Sequence, residues 1–150
     1  MTDLLDIINN QIDRNIYHGA SLALFKDNQW NEHYIGTIDG KTPVVSGLVY
    51  DLASVSKVVG VGTVVISLVR EGKLDIEAPL KQYYPDFHEE KVTLRQLLTH
   101  SSGINPFIPN RDALNAKELK EAINHITVED KKDFLYTDIN FLLLGFMLEG

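Results

Sequence analysis

The sequence predicts an α+β protein: one helix and a short antiparallel sheet, followed by a mostly helical remainder. Three observations carry this. Leu4, Leu5, Ile8, Ile12 and Ile16 recur at helical spacing with Asp and Asn between them, which describes an amphipathic helix of about three turns. Ser21–Lys26 and Glu32–Ile38 read as strands on either side of Asp27-Asn28-Gln29, whose residues are turn formers, so the two should pair as a hairpin. Beyond Ser54 the apolar residues fall in helix-length runs, the last of them, Ile139–Leu148, apolar on every side.

Composition sets limits on what such a protein does. The 150 residues are 44% hydrophobic and 23% charged, ordinary for a globular domain with a real core. A formal net charge of −7 without a basic stripe argues against nucleic acid or an anionic membrane as partner. With no cysteine, disulfides and thiolate metal sites are excluded. The five histidines are scattered, and His88-Glu89-Glu90 lacks the second histidine of a zinc helix, so no metal site is expected. Met1-Thr2-Asp3 opens no basic, then apolar, leader, so a cytoplasmic location is expected. The Val58–Val69 run is too short to span a bilayer and is flanked by Lys57 and Arg70.

Taken in order, the first helix should lay its stripe on the hairpin. Asp39–Pro43 is a loop, and the short apolar Leu48–Leu52 delivers the chain to Ser54. Ser54 to about Glu71 reads as a helix rich in Val, with Gly60 and Gly62 inside it. Both residue types are poor helix formers. Burial should override that propensity, the glycines allowing another element to approach closely. Gly60-Val61-Gly62 lacks the third glycine and the preceding strand of a dinucleotide fingerprint. Glu71-Gly72-Lys73 stops the helix, and Leu74–Phe87, with Pro79 and Pro85, is an extended connector. Val92–His100 reads as a short helix capped by Thr93 and ended at Ser101-Ser102-Gly103. A loop follows over residues 104–115, then a polar helix, Ala116–His125. Glu129–Asp133 is expected to be a solvated charge run, and His100 to hold backbone groups near the Ser101-Ser102 turn.

The candidate chemistry lies in Ser54-Val55-Ser56-Lys57. On a helix, Ser54 and Lys57 sit one turn apart on one face. A serine hydroxyl needs a nearby base to become a nucleophile. Lysine can serve only if its pKa falls well below about 10.4, which burial and the positive end of a helix would promote. Val58, Val59, Val61, Val64, Val65 and Ile66 are expected to supply the apolar surround. Ser56 is the poorer nucleophile, since it points about 100° away around a helix. A Ser-x-x-Lys spacing arises by chance about once in a chain this long, so the stretch gains weight only from two further blocks nearer the C-terminus.

Three blocks in order resemble the serine β-lactamase and penicillin-binding-protein superfamily, on its class C and esterase/D-alanyl-D-alanine carboxypeptidase side. They are Asp51-Leu52-Ala53-Ser54-Val55-Ser56-Lys57, Leu97-Leu98-Thr99-His100-Ser101-Ser102-Gly103-Ile104, and Tyr136-Thr137-Asp138 with Asn140-Phe141 and Leu143-Leu144-Gly145 after it. The connector from Glu71-Gly72-Lys73-Leu74-Asp75 to Tyr84-Pro85 also fits. The resemblance implies an α/β sandwich-type fold, an antiparallel sheet flanked by helices plus an all-helical lobe. Residues 1–52 would give the helix and hairpin of the first lobe, and 53–150 the helical lobe.

It also implies roles. Ser54 would be the acylated nucleophile, Lys57 the group that takes its proton, and Tyr136 the acid/base serving the leaving group. Asp138 would contact substrate at a position where the family usually has Asn. A carboxylate donates hydrogen bonds only when protonated, so the change bears on β-lactam recognition. The implied function is acyl transfer through acyl-Ser54 on small esters, D-amino-acid peptides or β-lactams, with no cofactor. A non-enzymatic binding module that kept the fold is the alternative.

The family's third block, Lys or His then Ser/Thr then Gly on a late strand, has no counterpart here. The resemblance therefore covers about the first half of a family member, without the C-terminal strands. Such a chain should be nearly inactive by itself and prone to self-association or to pairing with a C-terminal half, because open strand edges and uncovered apolar faces recruit partners.

Overall fold

The computed structural model describes residues 2–150 as two compact units, Met1–Asp51 and Leu52–Gly150. The first unit contains α1 (Thr2–Asp13), β1 (Gly19–Lys26) and β2 (Gln29–Gly36). The strands are antiparallel, in register from Gly19 opposite Gly36 to Lys26 opposite Gln29. The turn is therefore two residues, Asp27 and Asn28, at φ of 53° and 63°. A two-residue hairpin of this kind, a type I′ turn, needs left-handed backbone at both positions, which Asp and Asn tolerate. That tightness draws Gln29 into the strand, so β2 begins and ends earlier than the alternation of Glu32–Ile38 suggests. Likewise α1 ends before Ile16. Ile12 reaches β2, where a Cβ added at Gly36 (φ 73°) would lie 3.1 Å from its Cδ1 and 2.4 Å from the His18 carbonyl. Leu48–Leu52 forms no strand, and the Tyr50 hydroxyl lies 2.8 Å from Ser21 Oγ.

The second unit is built around its last helix. Its helices are α2 (Thr63–Arg70), preceded by a π-helical turn at Lys57–Gly62, then α3 (Leu94–Leu98), α4 (Ala116–Asn124) and α5 (Asp138–Glu149). Ile139, Phe141, Leu143, Leu144 and Met147 of α5 are buried in one cluster with Leu80, Phe87, Leu94, Leu97, Ile104 and Ile123. A helix apolar all round is thus placed at the centre, as its composition requires. The caps are local. Thr93 Oγ1 accepts from Gln96 N while the Gln96 side chain returns to Thr93 N, and Asn115 and Glu118 do the same at α4. Thr137 caps α5 by accepting from Ile139 N. Each such cap satisfies N–H groups that the first turn leaves without a partner.

The stretch after Ser54 departs from the sequence expectation. Val55–Lys57 enter the helix through successive tight turns, Lys57 N donating to Ser54 O at 3.1 Å. The backbone then widens, with Thr63 N and Thr63 Oγ1 both donating to Val58 O, five residues back. The two glycines lie inside this π turn and do not serve close packing. A Cβ at Gly60 would meet nothing within 4 Å, and one at Gly62 only ordinary contacts from 3.6 Å. Nor is the helix buried: Val65 is, but Val58, Val59, Val64 and Ile66 are exposed. The charge run Glu129–Asp133 is exposed throughout, as expected, and one of its side chains also makes a tether. Lys132 Nζ donates to the Ser102 carbonyl at 2.8 Å and the Glu129 carbonyl at 3.0 Å, tying that segment to the turn after α3.

Candidate active site

The second unit brings Ser54, Lys57, Tyr136 and Asp138 together. Ser54 sits in the turn that opens the π segment, after Ala53 at φ 43°. A left-handed alanine costs of order 1 kcal/mol or more and persists only where the surroundings impose it. Lys57 lies at the start of the π turn, a feature that recurs at functional sites. Its Nζ donates to Ser54 Oγ at 2.9 Å and pairs with Asp138 Oδ1 at 2.8 Å. The same ammonium lies 5.3 Å from the centre of the Tyr136 ring. Asp138 enters as the first residue of α5, where a carboxylate suits the positive end of a helix.

The electrostatics reverse the expectation for Lys57. Asp138 first, and then Tyr136, raise its pKa above the ordinary lysine value, outweighing the loss of hydration. Lys57 is an ammonium here, not a free base. Its hydrogen bond first, and then its charge, hold Asp138 below the usual carboxylate range, and Arg111 adds to this. Tyr136 is lowered too, by hydrogen bonds first from Ser54 and then from Lys57. Since Lys57 already donates to Ser54 Oγ, the Ser54 proton is left free to point at the Tyr136 oxygen. With Tyr136 ionised, the arrangement can move a proton from Ser54 to the Tyr136 oxygen beside a fixed positive charge. Tyr136 is 49% exposed, so the group is open to solvent. Behind it, Lys57, Asp138, Arg111 and Ser56 line a cavity of about 410 Å³.

A buried polar network supports this group. Ile104 N donates to Ser102 Oγ (3.2 Å), Ser102 Oγ donates to Asn140 Oδ1 (2.7 Å), and Asn140 Nδ2 lies 3.0 Å from His100 Nδ1. Asn140 is fully buried. Sequence reasoning named it within the third block but gave it no role: a lone amide in an otherwise apolar helix is a visible signal, because a buried amide must have partners. Among the described residues, no group of three or more His, Asp or Glu side chains is placed to hold a metal ion. No helix among them is long and apolar enough to cross a membrane.

Comparison with known proteins adds to this geometry. The family model described as Beta-lactamase matches residues 6–150. A protein of Escherichia coli (strain K12), provisionally named a D-alanyl-D-alanine carboxypeptidase, is 31% identical over 177 residues, covering 94% of this chain and 41% of its own length. The chain thus spans about two fifths of that curated relative. Among solved structures, a class C β-lactamase in complex with cefoxitin superposes with a TM-score of 0.76 at 22% identity, over 97% of this chain and 43% of its own. A D-amino acid amidase from Ochrobactrum anthropi SV3 complexed with L-phenylalanine superposes with a TM-score of 0.70 at 23% identity, over 95% and 42%. The chain therefore carries the β-lactamase-like fold over about 40% of its extent, in five helices and a two-stranded antiparallel sheet among the described residues.

Proposed function

The chain belongs to the beta-lactamase family, and from that premise we propose that the intact protein is a serine hydrolase acting through an acyl-Ser54 intermediate. The observation that carries this is the contact of Lys57 Nζ with Ser54 Oγ at 2.9 Å, beside a Tyr136 phenol held below its ordinary pKa. In this reading Ser54 Oγ attacks a carbonyl carbon while its proton passes to the Tyr136 oxygen. The Lys57 ammonium stabilises the phenolate beforehand and remains charged throughout. Collapse of the tetrahedral intermediate breaks the bond to the leaving nitrogen or oxygen, which takes the proton from Tyr136. Water then attacks the acyl-serine carbonyl as its proton passes to the Tyr136 oxygen, and the second tetrahedral intermediate collapses by breaking its bond to Ser54 Oγ, which takes that proton back from Tyr136. Lys57 is thus an electrostatic partner and Tyr136 the base, the reverse of the roles the sequence suggests.

The substrate class proposed is small esters, D-amino-acid peptides or β-lactams. It draws on the carboxypeptidase name of the Escherichia coli relative and the cefoxitin held by the class C enzyme. Asp138, paired with Lys57, would face the bound acyl group. One observation favours a second reading, a binding module without turnover: Asp138 already satisfies the Lys57 charge at 2.8 Å.

Incubating the intact protein with a fluorescent penicillin and with a nitrophenyl ester, then locating the adduct by mass spectrometry, tests the proposal. The adduct is expected on Ser54 and lost in Ser54→Ala. Labelling at another residue, or with neither reagent, refutes the hydrolase. Tight ligand binding that survives Ser54→Ala without turnover supports the binding module.

A further inference from the structure

His100 touches three consecutive residues of the segment that carries Tyr136. Its carbonyl accepts from Leu135 N at 2.9 Å. Its ring lies 4.5 Å, centre to centre, from the Tyr136 ring, and its Nδ1 faces Thr137 N at 3.4 Å. In extended backbone the N–H groups of residues 135 and 137 point the same way, so one residue can receive both. His100 itself takes up φ 54°, an uncommon backbone for a residue other than glycine. Phe141 and Phe134 flank the same ring at 5.4 and 6.0 Å.

The hydrogen bonds fix its protonation. A backbone N–H cannot turn around, so the Thr137 contact requires Nδ1 to accept. The network agrees: the Ser102 hydroxyl, already accepting from Ile104 N, gives its proton to Asn140 Oδ1, which leaves Nδ2 to donate to the same Nδ1. The neutral ring therefore carries its proton on Nε2.

We propose that His100 is a positioning residue for Tyr136: its unprotonated Nδ1 anchors the start of α5, and its ring face holds the phenol against Ser54 and Lys57. This rests on the reading of Tyr136 as the acid/base of the site. Protonating Nδ1 would set N–H against N–H at Thr137 and loosen the segment that carries Tyr136. The charged and titratable groups around it are Lys57, from the π turn, and Tyr136 and Asp138, from the segment and helix opposite. Burial first, and then Lys57, keep the ring neutral against the smaller pull of Asp138.

Two measurements on the resting protein test this without relying on turnover. Long-range proton–nitrogen NMR on histidine-labelled protein at neutral pH should find His100 as the Nε2–H tautomer; the Nδ1–H tautomer, or an imidazolium, overturns the inference. Phenol titration by NMR on tyrosine-labelled protein, with Tyr136→Phe as assignment control, should then show the Tyr136 pKa rising toward its ordinary value of about 10 in His100→Phe. His100→Asn keeps an acceptor near the Nδ1 position and suits the left-handed backbone, so it should reverse much of that rise. An unchanged Tyr136 titration in a folded His100→Phe overturns the inference. If that variant does not fold, the tautomer decides. Failure of the hydrolase reading would show separately, as a Ser54 that no reagent labels.

Discussion

Asn140→Leu is the sharpest probe of how the second unit holds its site. The substitution nearly conserves shape but removes both ends of the amide. Ser102 Oγ loses its acceptor at 2.7 Å, and His100 Nδ1 loses one of its two donors, at 3.0 Å. All three residues are buried, Asn140 completely. The Ser102 hydroxyl is left buried without an acceptor, which costs about 1–3 kcal/mol, while His100 Nδ1 keeps Thr137 N and gives up one bond worth about 0.5–1.5 kcal/mol. The added leucine carbons return about 1–2 kcal/mol through burial. With mid-range values the net expectation is a destabilisation of about 1.5 kcal/mol. In a two-state domain of about 100 residues, that lowers the melting temperature by about 6–12 °C. Urea titration followed by circular dichroism measures it. Ser102→Ala alone should cost about 1 kcal/mol, and the double variant less than the sum, because both changes remove the same bond. A loss below about 1 kcal/mol in Asn140→Leu, or strict additivity with Ser102→Ala, would mean that the network is not what joins the turn after α3 to α5.

Asp138→Asn should move the pH–rate profile of the intact protein toward lower pH and raise β-lactam acylation relative to esters. Asp138 raises both Lys57 and Tyr136, so removing its charge lets the phenol ionise at lower pH; an unmoved profile would place Asp138 outside the chemistry. Stability should decline as pH falls through about 6.5. Folding depresses the His100 pKa, so the unfolded chain binds the proton first, and His100→Asn should remove that component of the decline. A second loss should begin below about 3.9, where the unfolded carboxylate of Asp138 protonates, and thermal melts between pH 3 and 8 read both. Gly103→Ala should be severe in urea titration, because Gly103 has φ 78° and an added Cβ would lie 2.4 Å from the Glu129 carbonyl. Gly60→Ala, with open space at the same point, should be neutral or mildly stabilising.

Local rules determined most of the elements. The period of Leu4–Ile12 made α1, Asp27-Asn28 made the hairpin, Thr93 and Gln96 capped α3, and the all-apolar run after Asp138 became the central helix, because each depends on residues within a few positions of one another. The grouping of Ser54, Lys57, Tyr136 and Asp138 was legible only as a pattern of three separated blocks. Three matters were decided by tertiary structure. The valine-rich stretch with two glycines became a π turn followed by a half-exposed helix, since whether such a segment is covered depends on what packs against it. Lys57 keeps its charge instead of losing it, because a carboxylate 81 residues later in the chain lies 2.8 Å from its ammonium, and the hydrogen bonds with Asp138 and then Tyr136 outweigh the desolvation of the side chain. The tautomer of His100 followed from Thr137 and Asn140, donors that only folding brings to it. Spacing along the chain announces which groups a site can contain. Their protonation depends on distances that contacts across the fold alone determine.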